Sequence, residues 1–197
     1  MSETLTEPET DAAHLDAYVD DVCALVARDL RMDELVERVA ALNRELVSPG
    51  FRLPEQFRRI DATVPYTRNL VYQDPDKRMS VIAICWGPFQ QTRVHDHLNW
   101  GVVSVLEGLV HEVEYDRVDD ESDPWHAELR MRKTALHAPG GIVALAPPPS
   151  SNIHVMANAG HPATVTLHTY GDPGTKARVF DPATGVVELL DLPFHNT

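Results

Sequence analysis

Near residue 60 the sequence changes texture, and that change fixes the class of fold open to it. Downstream, short segments rich in Val, Ile, Thr and aromatic residues alternate with clusters of Gly, Pro and Asp. Segments of this kind read as strands, here over 67–72, 80–86, 101–106, 109–116, 125–133, 142–145, 154–157, 164–170, 178–181 and 185–190. No helical pattern of useful length interrupts them, which disfavours βαβ units. Their number and regular spacing predict a mainly β architecture, a sandwich or small antiparallel barrel.

Upstream the period is different. Leu15, Val19, Val22, Leu25 and Val26, then Leu35, Val36, Val39, Leu42 and Leu46, recur at three-and-four spacing, the stripe of amphipathic helices. Asp33 is read as the cap of the second helix. Ser48-Pro49-Gly50 ends the run, and a short turn follows between Pro54 and Arg59. Residues 1–13 are polar and acidic without period and are expected to form a flexible tail. Residues 14–60 are expected to pack as a helical segment on a barrel at 61–197, all within one domain.

The chain has 197 residues, with 17 Lys plus Arg against 30 Asp plus Glu, a net charge of −13. That field opposes phosphate backbones and anionic membranes, so no nucleic acid and no membrane is expected as a partner. The acidic start lacks the basic and apolar segments of a secretion signal, and no apolar run approaches the ~18–20 residues of a membrane span. Cys23 and Cys85 are isolated and suggest reduced thiols. A cytoplasmic monomer is the expectation.

The histidines carry the chemistry. His14, His111, His126, His137, His161 and His195 stand alone and read as surface or hydrogen-bonded residues. His95 and His97 differ: HxH on a strand puts both imidazoles on one face, where they can share an ion, and turns Asp96 to the other face. Gly87 stands before the pair and Gly108 after it, while Gly141 and Pro147 lead into His154 and Asn158. This frame resembles the two motifs of the cupin superfamily, small antiparallel barrels that hold a metal inside. The spacing before the His pair is longer than in that pattern, Pro149 replaces a glycine, and Gly101 occupies the glutamate position. Three neutral imidazoles leave a divalent ion its full charge, which favours an anionic ligand. Glu107 is weighed as a fourth ligand but precedes the turn at Gly108 and reads as facing solvent.

Three blocks narrow the resemblance: Tyr66-Thr67-Arg68-Asn69-Leu70-Val71, Cys85-Trp86-Gly87 and His95-Asp96-His97, followed by Thr166-Leu167-His168-Thr169-Tyr170. In this order they resemble the cysteine dioxygenase family of cupins over roughly 60–182. The resemblance implies Fe(II) held by His95, His97 and His154, and a small thiol oxidised to its sulfinic acid with both atoms of O2. It implies that Arg68 pairs with the substrate carboxylate and that Thr166, His168 and Tyr170 form a hydrogen-bonded relay, with Tyr170 and His168 catalytic. Tyr66 and Trp86 are expected to line the substrate pocket. Parity agrees with the relay, since residues two apart share a strand face, and a guanidinium suits bidentate carboxylate binding. Eukaryotic members join a cysteine at the position of Gly101 to the tyrosine corresponding to Tyr170, a crosslink this chain lacks the thiol to make.

L-cysteine is the expected substrate. Arg68 favours it, whereas Leu98-Asn99-Trp100-Gly101 resembles the 3-mercaptopropionate type. Mercaptosuccinate and bulkier thiols or thiones such as ergothioneine remain open. Rival readings are a Zn(II) or Mn(II) cupin isomerase or hydrolase, and a cupin that binds a metal or small acid without catalysis.

Overall fold

In β2 (Ser80–Trp86) and β9 (Thr164–Tyr170) every residue is buried, so both faces of these strands must be covered. A computed structural model describing residues 7–47, 50–146 and 152–197 shows by what. Val81, Ala83, Cys85, Val165 and Leu167 pack against an N-terminal helical hairpin, while Ile82, Ile84, Trp86 and Tyr170 point into the barrel. The hairpin is α1 (Glu7–Val26) and α2 (Met32–Leu46), with a single 3-10 turn at Glu55–Phe57 beyond it.

The other strands are β1 (Thr67–Gln73), β3 (Val94–His95), β4 (Gly101–Glu107), β5 (Val110–Arg117), β6 (Leu129–His137), β7 (Ile142–Leu145), β8 (Ile153–Asn158), β10 (Lys176–Phe180) and β11 (Val187–Asp191). They form two antiparallel sheets, β1-β2-β9-β4-β7 and β11-β10-β3-β8-β5-β6. The mainly β expectation with helices in front therefore holds. The helices cover the outer face of the first sheet, which explains why β2 reads as a continuous apolar run rather than an alternating one.

Polar contacts fix the hairpin in place. Asn43 on α2 donates through Nδ2 to the Tyr18 hydroxyl at 2.7 Å, and that hydroxyl lies 2.5 Å from Thr169 Oγ1 on β9. Ser104 on β4 donates to Asn43 Oδ1. All four residues are buried, so each group meets its need for a partner within the network.

The structure departs from expectation at several points. α1 begins at Glu7, so residues 7–13, read as tail, are helical; residues 1–6 lie outside the described residues. Arg31 is the N-cap of α2 and makes no side-chain cap. Asp33 sits inside the first turn, where it pairs with Arg31 at 2.6 Å and suits the positive end of the helix dipole. β6 starts four residues later than expected, because Trp125 O accepts from Val187 N and Ala127 N donates to Gly185 O, drawing that stretch toward β11. The strand expected under the HxH pair is only β3, two residues long, which holds His95 and ends before His97. Ser48, Pro49 and Pro147–Ser151, including Pro149, lie outside the described residues.

Candidate metal and substrate site

Two of the three histidines face each other across a strand pair. His95 on β3 is the direct register partner of His154 on β8, and His97 follows two residues after His95. Their ring centroids are 4.8 Å apart for His95–His154, 4.9 Å for His95–His97 and 5.0 Å for His97–His154. One nitrogen from each lies within 4.8 Å of the others, so the three can serve one ion.

Hydrogen bonds set the tautomers. The Arg93 carbonyl accepts from His95 Nδ1 at 3.0 Å, and Glu112 Oε1 accepts from His154 Nδ1 at 2.6 Å. Each ring thereby keeps its proton on Nδ1 and frees Nε2 as a donor atom. His154 Nε2 is buried and has no hydrogen-bond partner among the described residues, an unmet need that a metal would satisfy. Burial, then the neighbouring His154, holds His95 down to about 3, and burial holds His97 well below the usual imidazole range, so both rings are neutral and able to ligate. An all-imidazole donor set fits a divalent first-row ion such as Fe(II) or Zn(II).

Glu112 is the residue that sequence reasoning missed. It lies on β5, diagonal to His154, and is 1% exposed. Its second oxygen meets His137 Nε2 at 2.7 Å, which gives that set-aside histidine a place in the site. Burial opposes its charge, but the hydrogen bonds from His154 and His137 outweigh this and hold the carboxyl below its usual range. The carboxylate absent at Gly101 is thus supplied one imidazole away from the metal position. Asp96 turns away from the ring pair, as expected, and accepts from Arg178 Nε at 2.8 Å. Asn152 Nδ2 donates to His97 O at 3.0 Å and pins the connection after β3. Glu107 is not a candidate ligand: Arg58 holds both its oxygens, at 2.7 and 2.6 Å.

Tyr170 stacks on His97 with centroids 5.3 Å apart, which brings the β9 trio to the metal position. The Tyr170 hydroxyl lies 2.7 Å from His168 Nδ1, and His168 Nε2 lies 2.8 Å from Thr166 Oγ1. Trp86 Nε1 donates to the same Thr166 oxygen at 3.1 Å. Burial pushes the Tyr170 phenol up and holds His168 down, so the chain is neutral. It can carry its mobile protons in either direction: Tyr170 donates to His168, or His168 donates to Tyr170 and leaves the phenol proton facing the cavity. A Cβ on Gly101 would stand 2.7 Å from Tyr170 Cδ1, so the ring occupies the space of the missing side chain.

A cavity of about 40 Å³ is lined by Tyr66, Arg68, His95, His97, His168 and Tyr170, among others. Trp86 is not among its lining residues; its ring lies tilted against that of Tyr66, centroids 5.3 Å apart, and is 1% exposed, so it borders the cavity through Tyr66. A larger apolar cavity of about 250 Å³ adjoins and shares Arg68 and His95. Arg68 on β1 is 3% exposed, donates to the carbonyls of Leu192 and Gly174, and forms no ion pair among the described residues. Burial draws its pKa down, opposed by Tyr66, Tyr170 and Asp172.

Among the described residues no helix is long and apolar enough to cross a membrane. Rat and human cysteine dioxygenase type 1 are each 29% identical to this chain over 136 residues, which is 66% of the chain and 63% of the relative's length. The chain therefore spans under two thirds of the length of the curated relatives it matches. Among solved structures, a double-stranded β-helix protein from Klebsiella pneumoniae aligns over 64% of this chain and 86% of its own, with TM-score 0.45 and 15% identity. A cupin-2 domain from Rhodospirillum rubrum aligns over 64% and 75%, with TM-score 0.44 and 15% identity. The profile of the family described as cysteine dioxygenase type I matches residues 8–183, and the chain belongs to that family.

Proposed function

We propose that the protein is a non-haem Fe(II) thiol dioxygenase acting on a small thiol carboxylate, with L-cysteine as the first candidate. The observation that carries the reading is Arg68, a cation buried in the cavity that His95 and His97 also line, which forms no ion pair among the described residues although Asp172 lines the same cavity. Taking an unpaired charge out of water costs several kcal/mol, and an incoming carboxylate offsets that cost. Among the described residues two of the five guanidinium protons are committed, to Leu192 O and Gly174 O, so the others can meet the ligand.

His95, His97 and His154 would hold the iron, which supplies the redox chemistry that joins O2 to a thiol sulfur. The balance closes without another reductant: RSH plus O2 gives RSO2H, sulfur losing four electrons that the two oxygen atoms gain. The chain's own residues orient and protect. Arg68 sets the carboxylate end, the small cavity excludes bulk water, and the His168–Tyr170 pair holds a proton at the phenol oxygen next to His97.

Metal analysis with oxygen-electrode traces on L-cysteine, 3-mercaptopropionate, mercaptosuccinate, cysteamine and ergothioneine tests this. Iron with uptake on the carboxylate thiols is expected. Zinc or manganese with no oxygen dependence would favour an isomerase or hydrolase, and no uptake with any thiol would leave a metal- or acid-binding protein.

A further inference from the structure

β1 is an edge strand of its sheet, and what covers its free edge is a non-repetitive segment from Leu192 to Asn196. His195 N donates to Arg68 O at 2.8 Å, and Arg68 N donates to His195 Nδ1 at 2.9 Å. Asn196 repeats the pattern two residues along: its Oδ1 accepts from Leu70 N at 2.7 Å and its Nδ2 donates to Leu70 O at 3.0 Å. Three side-chain hydrogen bonds and one backbone hydrogen bond here take the place of a ladder strand. The segment also reaches the guanidinium itself. Leu192 O accepts from Arg68 Nη1, and the Phe194 ring lies 5.2 Å from Arg68 Cζ, within cation–π range. Arg59 Nη1 ties the segment down through His195 O at 3.0 Å.

We infer that residues 192–196 are a positioning latch for Arg68 that sets the site's preference for carboxylate-bearing thiols. The inference rests on the proposed thiol chemistry and deepens it. One short segment fixes Arg68 at its backbone, at a terminal nitrogen and over its face. A flexible side chain is thereby presented to the cavity in one orientation, and bidentate recognition depends on that orientation.

The test compares wild type, His195→Ala, Phe194→Ala and His195→Asn, the last able to accept the same hydrogen through its amide oxygen. Oxygen uptake is measured with 3-mercaptopropionate, which has a carboxylate and no amine, and with cysteamine, which has the reverse. The alanine variants are expected to raise KM for 3-mercaptopropionate about tenfold, the worth of one hydrogen bond or ring contact, with kcat and the cysteamine rate within about twofold. His195→Asn is expected to restore most of the loss, and adding His195→Ala to Arg68→Ala to change nothing further. Equal effects on both thiols, or additivity with Arg68→Ala, would overturn the latch. If wild type consumes no oxygen with any thiol, the proposed function fails first. The latch is then read on metal-free protein from the Arg68 Nε–H resonance during titration with 3-mercaptopropionate: a midpoint at least about fivefold weaker in His195→Ala supports it, and an unchanged midpoint overturns it.

Discussion

Replacing Glu112 by glutamine should weaken metal binding without disturbing the fold. Glutamine keeps the shape and can turn its oxygen to His154 Nδ1 and its amide to His137 Nε2, so both contacts, now 2.6 and 2.7 Å, survive as neutral hydrogen bonds. What is lost is the buried negative charge that makes the His154 imidazole a stronger donor and offsets the charge of a divalent ion. Losing such an outer partner costs about 10–100-fold in metal affinity, or about 1.4–2.7 kcal/mol. We expect the lower end for Glu112→Gln and the upper end for Glu112→Ala, which also leaves the His154 N–H unpaired. Anaerobic titration of metal-free protein with Fe(II) against a chelator of known affinity measures the difference. Thermal melting of the metal-free variants separates it from misfolding: Glu112→Gln should melt close to wild type, because the reduced hydrogen-bond strength is offset by relief from burying a charge. Iron affinity within about twofold of wild type in both variants would refute the claim that Glu112 tunes this site.

Arg68→Ala should raise KM for carboxylate thiols about 10–100-fold, as expected for a charge-assisted pair of about 1.5–3 kcal/mol, and leave cysteamine oxidation unaffected in steady-state assays. Tyr170→Phe should keep its iron by elemental analysis and turn over at least about tenfold more slowly; an unchanged rate would make the ring a packing residue. Gly101→Ala should lower stability by about 1–3 kcal/mol in urea titration, because its Cβ meets the Tyr170 ring at 2.7 Å. Hydrogen bonds from Arg58 hold the Glu107 carboxyl below its ordinary 4.5 in the folded chain. A depressed carboxyl stabilises fully above its unfolded value and less as pH falls through its folded one, so Glu107→Gln should lower the melting temperature at neutral pH, flatten its fall below about pH 4.5 and converge with wild type in acid.

The strands were legible where alternation or a continuous apolar run was bounded by turn residues: β2, β7 and β9 stand where the pattern put them. β3 shows no such pattern, because two residues have no period, although it carries His95. The His95–His97 pair stands out through its HxH spacing, although His97 lies beyond the end of β3, and His154 enters through the resemblance to the second cupin motif. The expectation for Trp86 rests on the resemblance, which does not say which part of the interior the ring fills. Glu112 left no local signal at all, since its role comes from a diagonal across two strands, 42 positions from His154 in the chain. Arg58 and Glu107, 49 residues apart, met through tertiary packing that no spacing announced.

β9 serves two sides of the molecule at once. His168 and Tyr170 reach inward, and Thr169 between them is held from outside by Tyr18 of α1. A push on the helical hairpin, from a substitution or from something resting against its solvent side, would tilt the backbone between those two inward side chains. The hairpin is therefore a handle by which the spacing of phenol and imidazole can be retuned with no change inside the barrel.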